Sequence, residues 1–233
     1  MLVITAEKGV KDMYRAPYAT RLDEGLDGAT LGKTLGYLAS YLAFAMLASP
    51  FAVALRGWSV WVGLAMALGG TLLANRAAAR GTGAYGWGVV VALGMGLMAG
   101  PLVLYTALTE PRVLLTALLS VVAAVGLTAV MVAWIPWDFS RLGPLLFVGL
   151  LLLILTGLLS WIIPAWAGVS LSVTYNLIGV AIFVGYLLVD FSLLKYRGLT
   201  LPGDGAAVVL AVALLVDIVN LLLFLISLGQ RRS

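Results

Sequence analysis

The sequence predicts an all-α fold, an integral membrane bundle of seven helices. Three observations carry this. The chain has 233 residues, of which 63% are hydrophobic and 10% charged, whereas ordinary soluble domains carry about 25% charge. Its mean hydropathy is +1.10, which leaves little material for a soluble domain. The apolar residues fall into seven runs, each near the roughly 20 residues that a bilayer span requires.

The runs are 31–53, 58–75, 85–107, 113–134, 143–163, 173–194 and 206–228. A polar stretch, 1–29, precedes the first. Its opening apolar stretch is too short for a signal-peptide core, so it is read as a cytoplasmic tail. The helical domain is then 30–229, with a short polar tail at 230–233. The breaks between runs read SPFAVALRG, NRAAARGTG, TEPR, IPWDFSRLGP, IPAWAG and KYRGLTLPGDG. Each carries Gly, Pro or charge, as turns at a membrane edge should. Trp58, Trp61, Trp87, Trp134, Trp137, Trp161 and Trp166 lie near run ends, where an aromatic belt anchors helices. The third run has Gly86, Gly88, Gly94, Gly96 and Gly100. Close packing through small faces explains them, with a moving segment as the alternative. Pro101 removes a backbone bond and is expected to kink this helix.

Charge sets the orientation. With the N-terminus inside, Lys8, Lys11, Arg15, Arg21, Lys33, Arg76, Arg80, Arg141, Lys195 and Arg197 are cytoplasmic. Arg56, Arg112, Arg231 and Arg232 are then outside, so ten of fourteen basic residues favour this orientation. The C-terminal Arg pair is the one local objection. The same topology argument accounts for the net charge of +4, so no nucleic-acid partner is expected. The chain has no Cys and no His. Disulfides, thiolate chemistry and imidazole-ligated metals are therefore excluded, and any pH response falls to carboxylates. No cofactor is expected.

The chemistry-bearing residues are Asp190, in VAIFVGYLLVDFSLLKYRG, and Asp217, in VLAVALLVDIVNLLLFLISLG. A carboxylate within a bilayer costs at least about 2.5 kcal/mol on insertion scales, so it normally faces protein and has a function there. Asp190 is placed near the cytoplasmic end of the sixth run and Asp217 about 16 Å into the seventh, at 1.5 Å per residue. The short connection makes these runs antiparallel neighbours, so both carboxyls can enter one crevice. In contact they would titrate as a unit, sharing one proton or binding a cation. Oxygen ligands alone suit a hard ion such as calcium, which makes Asp190 and Asp217 a tentative calcium path. The bland alternative is a packing device. Asn220 lies three residues after Asp217 on the same helix face and could serve as its supporting polar partner. Arg76 and Arg80 close the second run on the same side. Snorkelling explains either alone; the sharper reading makes one of them a latch for the acidic pair. Asp138 and Asp204 fall in turns and are read as solvated caps.

The stretches YNLIGVAIFVGYLLVDFSLLKYR, LLVDIVNLLLFLISLG and WDFSRLGPLLFVGLL resemble the Bax inhibitor-1 family, and Gly96 and Pro101 fit its third helix. The resemblance covers most of 30–229 and is weakest in the first two runs. It implies six helices packed around a central C-terminal seventh, and a bacterial-type, pH-dependent calcium leak in a prokaryotic plasma membrane. It also implies that Asp190 and Asp217 are the pH sensor and gate, with a second-helix arginine, Arg76 ahead of Arg80, alternating between them and an open state. The sequence departs from the family pattern at Ser227, where some relatives carry Arg, and in a second run without acidic residues.

Calcium or another cation, or protons, would thus be the cargo, and the bilayer the constant partner. Two alternatives remain at the level of sequence: a proton-coupled small-solute transporter, for which no inverted repeat is visible, and a non-catalytic regulator or scaffold with membrane-protein partners in stress response or proteolysis. An enzyme is not expected. The aspartate surroundings do not match intramembrane aspartyl proteases, and no His supports a serine nucleophile.

Overall fold

The computed structural model describes residues 28–163, 168, 172–197, 201 and 203–231. The expected tail over 1–27, Trp166, Arg232 and much of the IPAWAG and KYRGLTLPGDG turns lie outside the described residues.

Seven long helices follow one another: α1 (Gly28–Ala48), α2 (Ser59–Arg80), α3 (Ala84–Thr109), α4 (Pro111–Trp134), α5 (Gly143–Ile162), α6 (Val173–Ser192) and α7 (Gly205–Gly229). Each lies in a segment long and apolar enough to cross a membrane, and no strand occurs among the described residues. The protein is therefore a multi-pass helical membrane protein. Local chemistry sets the ends. Ser49 and Pro50 end α1, and a single turn, Phe51–Ala54, completes that span. Gly81, at φ 70°, ends α2 in the left-handed conformation that glycine adopts without steric penalty. Pro111 opens α4, where its missing N–H would be unsatisfied anyway. The Asp138 side chain caps a 3-10 turn before α5 by accepting from Ser140 N at 3.0 Å. Ser172 Oγ caps α6 by accepting from Tyr175 N at 3.1 Å.

Two boundaries differ from expectation in ways that matter. Helix α2 runs five residues past the apolar window, because Ala77, Ala78 and Ala79 favour helix and no glycine intervenes before Gly81. Arg76 therefore sits inside the helix. The helical path of α6 also continues past Ser192 through a π-turn at Leu193–Arg197. Asp190 consequently lies somewhat deeper within the span than an end at 194 would place it. The expected kink at Pro101 does not interrupt α3, which is helical throughout.

The most buried helix is the last. Val208, Ala211, Leu214, Leu215, Leu221 and Ile226 of α7 are almost fully enclosed, with α1, α2, α3, α4 and α6 packed on them. Helix α5 joins the bundle mainly through α6, leaving Leu145, Phe147, Leu152 and Leu155 exposed to lipid. The α2–α3 pair packs most closely, through glycine. A Cβ on Gly63 would strike the Gly94 carbonyl and one on Gly94 the Gly63 carbonyl, while Gly96 abuts the Ala45 backbone of α1. Such close approach is how membrane helices gain contact area without a hydrophobic drive between them.

Candidate functional site: a buried aspartate pair

Asp190 and Asp217 project from facing positions of α6 and α7. They are 7% and 6% exposed, and their carboxyl groups lie within hydrogen-bonding reach of each other. The second oxygen of each, Asp190 Oδ2 and Asp217 Oδ2, is buried without a hydrogen-bond partner. Leu187, Leu214 and Leu215, within three residues of the aspartates along the chain, are almost fully buried in the apolar core around them. Tyr186, one turn before Asp190, is close enough to feel both carboxyls. Two orphaned oxygens in the apolar core form a high-energy arrangement, since a buried polar atom without a partner costs about 1–3 kcal/mol.

No cation answers this pair among the described residues. Arg76 and Arg80 are both exposed, whereas Ala74, Ala77 and Ala78, which α2 turns inward, are buried. The structure thus does not bring either arginine to the aspartates. Lys195 is committed elsewhere: its ammonium donates to Val132 O at 2.6 Å and Ala133 O at 3.0 Å, at the C-terminus of α4. Asn220 does not support Asp217. Its amide donates to Val216 O at 2.8 Å, within its own helix. Ser227 likewise bonds back to Leu223 O at 2.9 Å.

Calcium takes six to eight oxygen ligands. Two carboxyls supply at most four, and no cluster of three or more His, Cys, Asp or Glu occurs among the described residues. Two carboxyls alone therefore fall short of a resident calcium site.

Sequence reasoning missed three polar ties around this end of the bundle. Asp204 does not cap α7 with its side chain. Its two oxygens instead accept from Lys33 Nζ at 2.6 Å and Tyr37 Oη at 2.8 Å, joining α7 to α1. Lys33 foremost, and Tyr37 after it, hold the Asp204 carboxyl below its ordinary value of 3.8. Lys33 and Tyr37 are four residues apart on one helix face, so both reach one carboxylate, but that spacing does not name Asp204 as the partner. Beside this clasp a cavity of about 210 Å³ opens between Tyr37, Ala78, Gly81, Tyr85 and Gly205. The other two ties are the Lys195 bonds and Ser192 Oγ, which accepts from Phe139 N at 3.2 Å and fixes the turn before α5 to α6.

A sequence profile of the family described as "Inhibitor of apoptosis-promoting Bax1" matches residues 28–233, all seven helices included. The chain belongs to the Bax inhibitor-1 family. Comparison with individually curated proteins finds no match. Within this Bax inhibitor-1 protein, the aspartates occupy the sixth and seventh of the seven spans.

Proposed function

We propose that this protein lets cations, with calcium the expected ion, leak down their gradient through a passage that the Asp190–Asp217 pair closes in a pH-dependent way. One observation carries the reading: two buried carboxyls meet in the apolar core with no cation beside them among the described residues. Such a pair is at rest with one shared proton. Without that proton, two like charges in a poorly hydrated place separate or take up a cation. With a second proton, the link between α6 and α7 loses its charge. Either change acts on α7, the helix that the rest of the bundle grips, so a local proton event reaches the packing of the whole. The π-turn after Asp190 supports this, since such turns are frequent at functional sites and loosen the helical ladder where α6 must give. We place the end bearing Lys33, Arg80, Arg141 and Lys195 in the cytoplasm, following the charge bias.

The test is calcium flux into proteoliposomes across a pH series. Asp190→Asn and Asp217→Asn should each flatten the pH response. Unchanged pH dependence in both variants, with wild-type flux intact, would overturn the gating reading. Saturable counterflow of a solute would point to a transporter instead, and no flux from pure protein would point to a regulator.

A further inference from the structure

On the lipid-facing side of the same end, α1, α4 and α6 leave an apolar groove of about 290 Å³. Leu31, Val132, Ala133, Trp134, Phe191 and Leu194 line it. All six belong to membrane-spanning segments, so hydrocarbon is the medium the groove meets. Trp134, the last residue of α4, is 84% exposed at its edge, the place of an interfacial aromatic.

The rim is cationic. Lys195 follows the lining residue Leu194 and grips the carbonyls of Val132 and Ala133, two more lining residues. An ammonium has three N–H donors. Two are engaged on these carbonyls, so the ammonium is held at the edge of the groove. Tyr196, whose ring lies 4.7 Å from the same ammonium, anchors the rim through its hydroxyl to Ile135 O at 3.2 Å. A fixed positive charge thus stands at headgroup level above an acyl-sized apolar slot.

We propose that this groove seats one phospholipid with an anionic headgroup, its acyl chain along Phe191 and Leu194 and its phosphate on Lys195. Zwitterionic lipid fits the slot but gains less at the rim, so the site selects by charge. The seat lies on the back of the Asp190 turn: Phe191 is the next residue and Leu194 belongs to the π-turn. Bound lipid therefore braces the helix that carries one of the paired carboxyls. The proposal does not rest on the leak reading.

Trp134 provides the probe. The full chain is reconstituted in vesicles containing increasing amounts of phosphatidylglycerol or phosphatidylcholine with brominated acyl chains, which quench nearby tryptophan. The difference between wild type and Trp134→Phe isolates the Trp134 signal. Phosphatidylglycerol should quench that signal with about fivefold preference, the bias that one lysine gives near an anionic lipid. Lys195→Gln should abolish the preference while both lipids still quench. Ala133→Phe, which fills the slot and leaves the lysine in place, should weaken quenching by both. Coincident curves for the two lipids on wild type would overturn the proposal. So would a preference that survives in a folded Lys195→Gln protein, or full quenching in a folded Ala133→Phe protein.

Discussion

Two acidic sites lie along the path into α7, and they are built on opposite principles. At the rim, Asp204 is exposed, and a lysine and a tyrosine from α1 hold its two oxygens. Deeper in, Asp190 and Asp217 are enclosed and, among the described residues, have only each other. The same side chain is a clasp in one place and an unresolved charge in the other. What differs is solvent and counterion. An exposed carboxylate with a cation stays ionised through the neutral range and reports little. A buried pair without one must settle its charge by protons, cations or movement. Only the second arrangement suits a sensor.

The largest expected effect is functional. Asp190→Asn or Asp217→Asn should flatten the pH dependence of calcium flux, whereas Asp204→Asn should leave its shape intact and change at most its amplitude. If Asp204→Asn alone moved the profile, the rim would be the sensor and the comparison would reverse.

Stability should separate the sites next. Two buried carboxyls repel each other and lose hydration when ionised, whereas amides of nearly the same shape do not ionise. The Asp190→Asn, Asp217→Asn double variant should thus unfold in detergent at the wild-type temperature or above it. Asp204→Asn removes an ion-pair partner at the surface and should lower the midpoint slightly. A double variant that unfolds well below wild type would show that the pair holds the bundle together, making it structural before it is functional.

The rim clasp has its own pH signature, with a sign fixed by its depressed titration. A carboxyl whose folded value lies below its unfolded one contributes stability that is present above the unfolded value. That contribution is lost as pH falls through the folded value. The unfolded value is near 3.8, and Lys33 holds the folded one below it. The difference in unfolding midpoint between wild type and Lys33→Met should therefore be constant from about pH 5 to pH 8, because Asp ionises near 3.9 and Lys near 10.4. It should shrink only below about pH 4. A difference that changes between pH 6 and pH 8 would mean the clasp feels the deeper pair.

How much of this was legible in the sequence follows from the range of each interaction. The seven spans depend on local hydropathy, and their number and order are plain in the chain. The end of α2 was not, because an apolar window stops at Asn75 and Arg76 while helical propensity continues through the alanines to Gly81. Asp190 and Asp217 stood out because each violates its own apolar run. That they face each other depends on the α6–α7 packing, which two antiparallel neighbours made the simplest outcome. The π-turn, the Lys195 grip on α4 and the Lys33–Asp204 clasp were invisible. The last two join residues 62–63 and 171 positions apart, and nothing local distinguishes these lysines from ordinary interfacial ones. Asn220 shows the reverse error: correct spacing placed it on the right face, but its own helix carbonyl is a nearer acceptor than Asp217.

The smallest expected effect concerns the arginines. Arg76 and Arg80 share an exposed face of α2 and reach neither carboxylate site. Exposed substitutions away from caps and ion pairs usually change stability by no more than about 0.5 kcal/mol. Arg76→Gln and Arg80→Gln should therefore unfold like wild type. The flux profile is the sharper measurement. To meet the aspartates an arginine would have to cross from the outer face of α2 past Ala74 and Ala78, which are packed inside. That requires α2 to turn about its axis against the glycine contacts it makes with α3. An unaltered pH profile in both variants would show that neither arginine serves as counterion to the buried pair. A profile shifted by Arg76→Gln alone would reveal a second packing of α2 in which the lone acidic pair acquires the counterion that Asp204 already has.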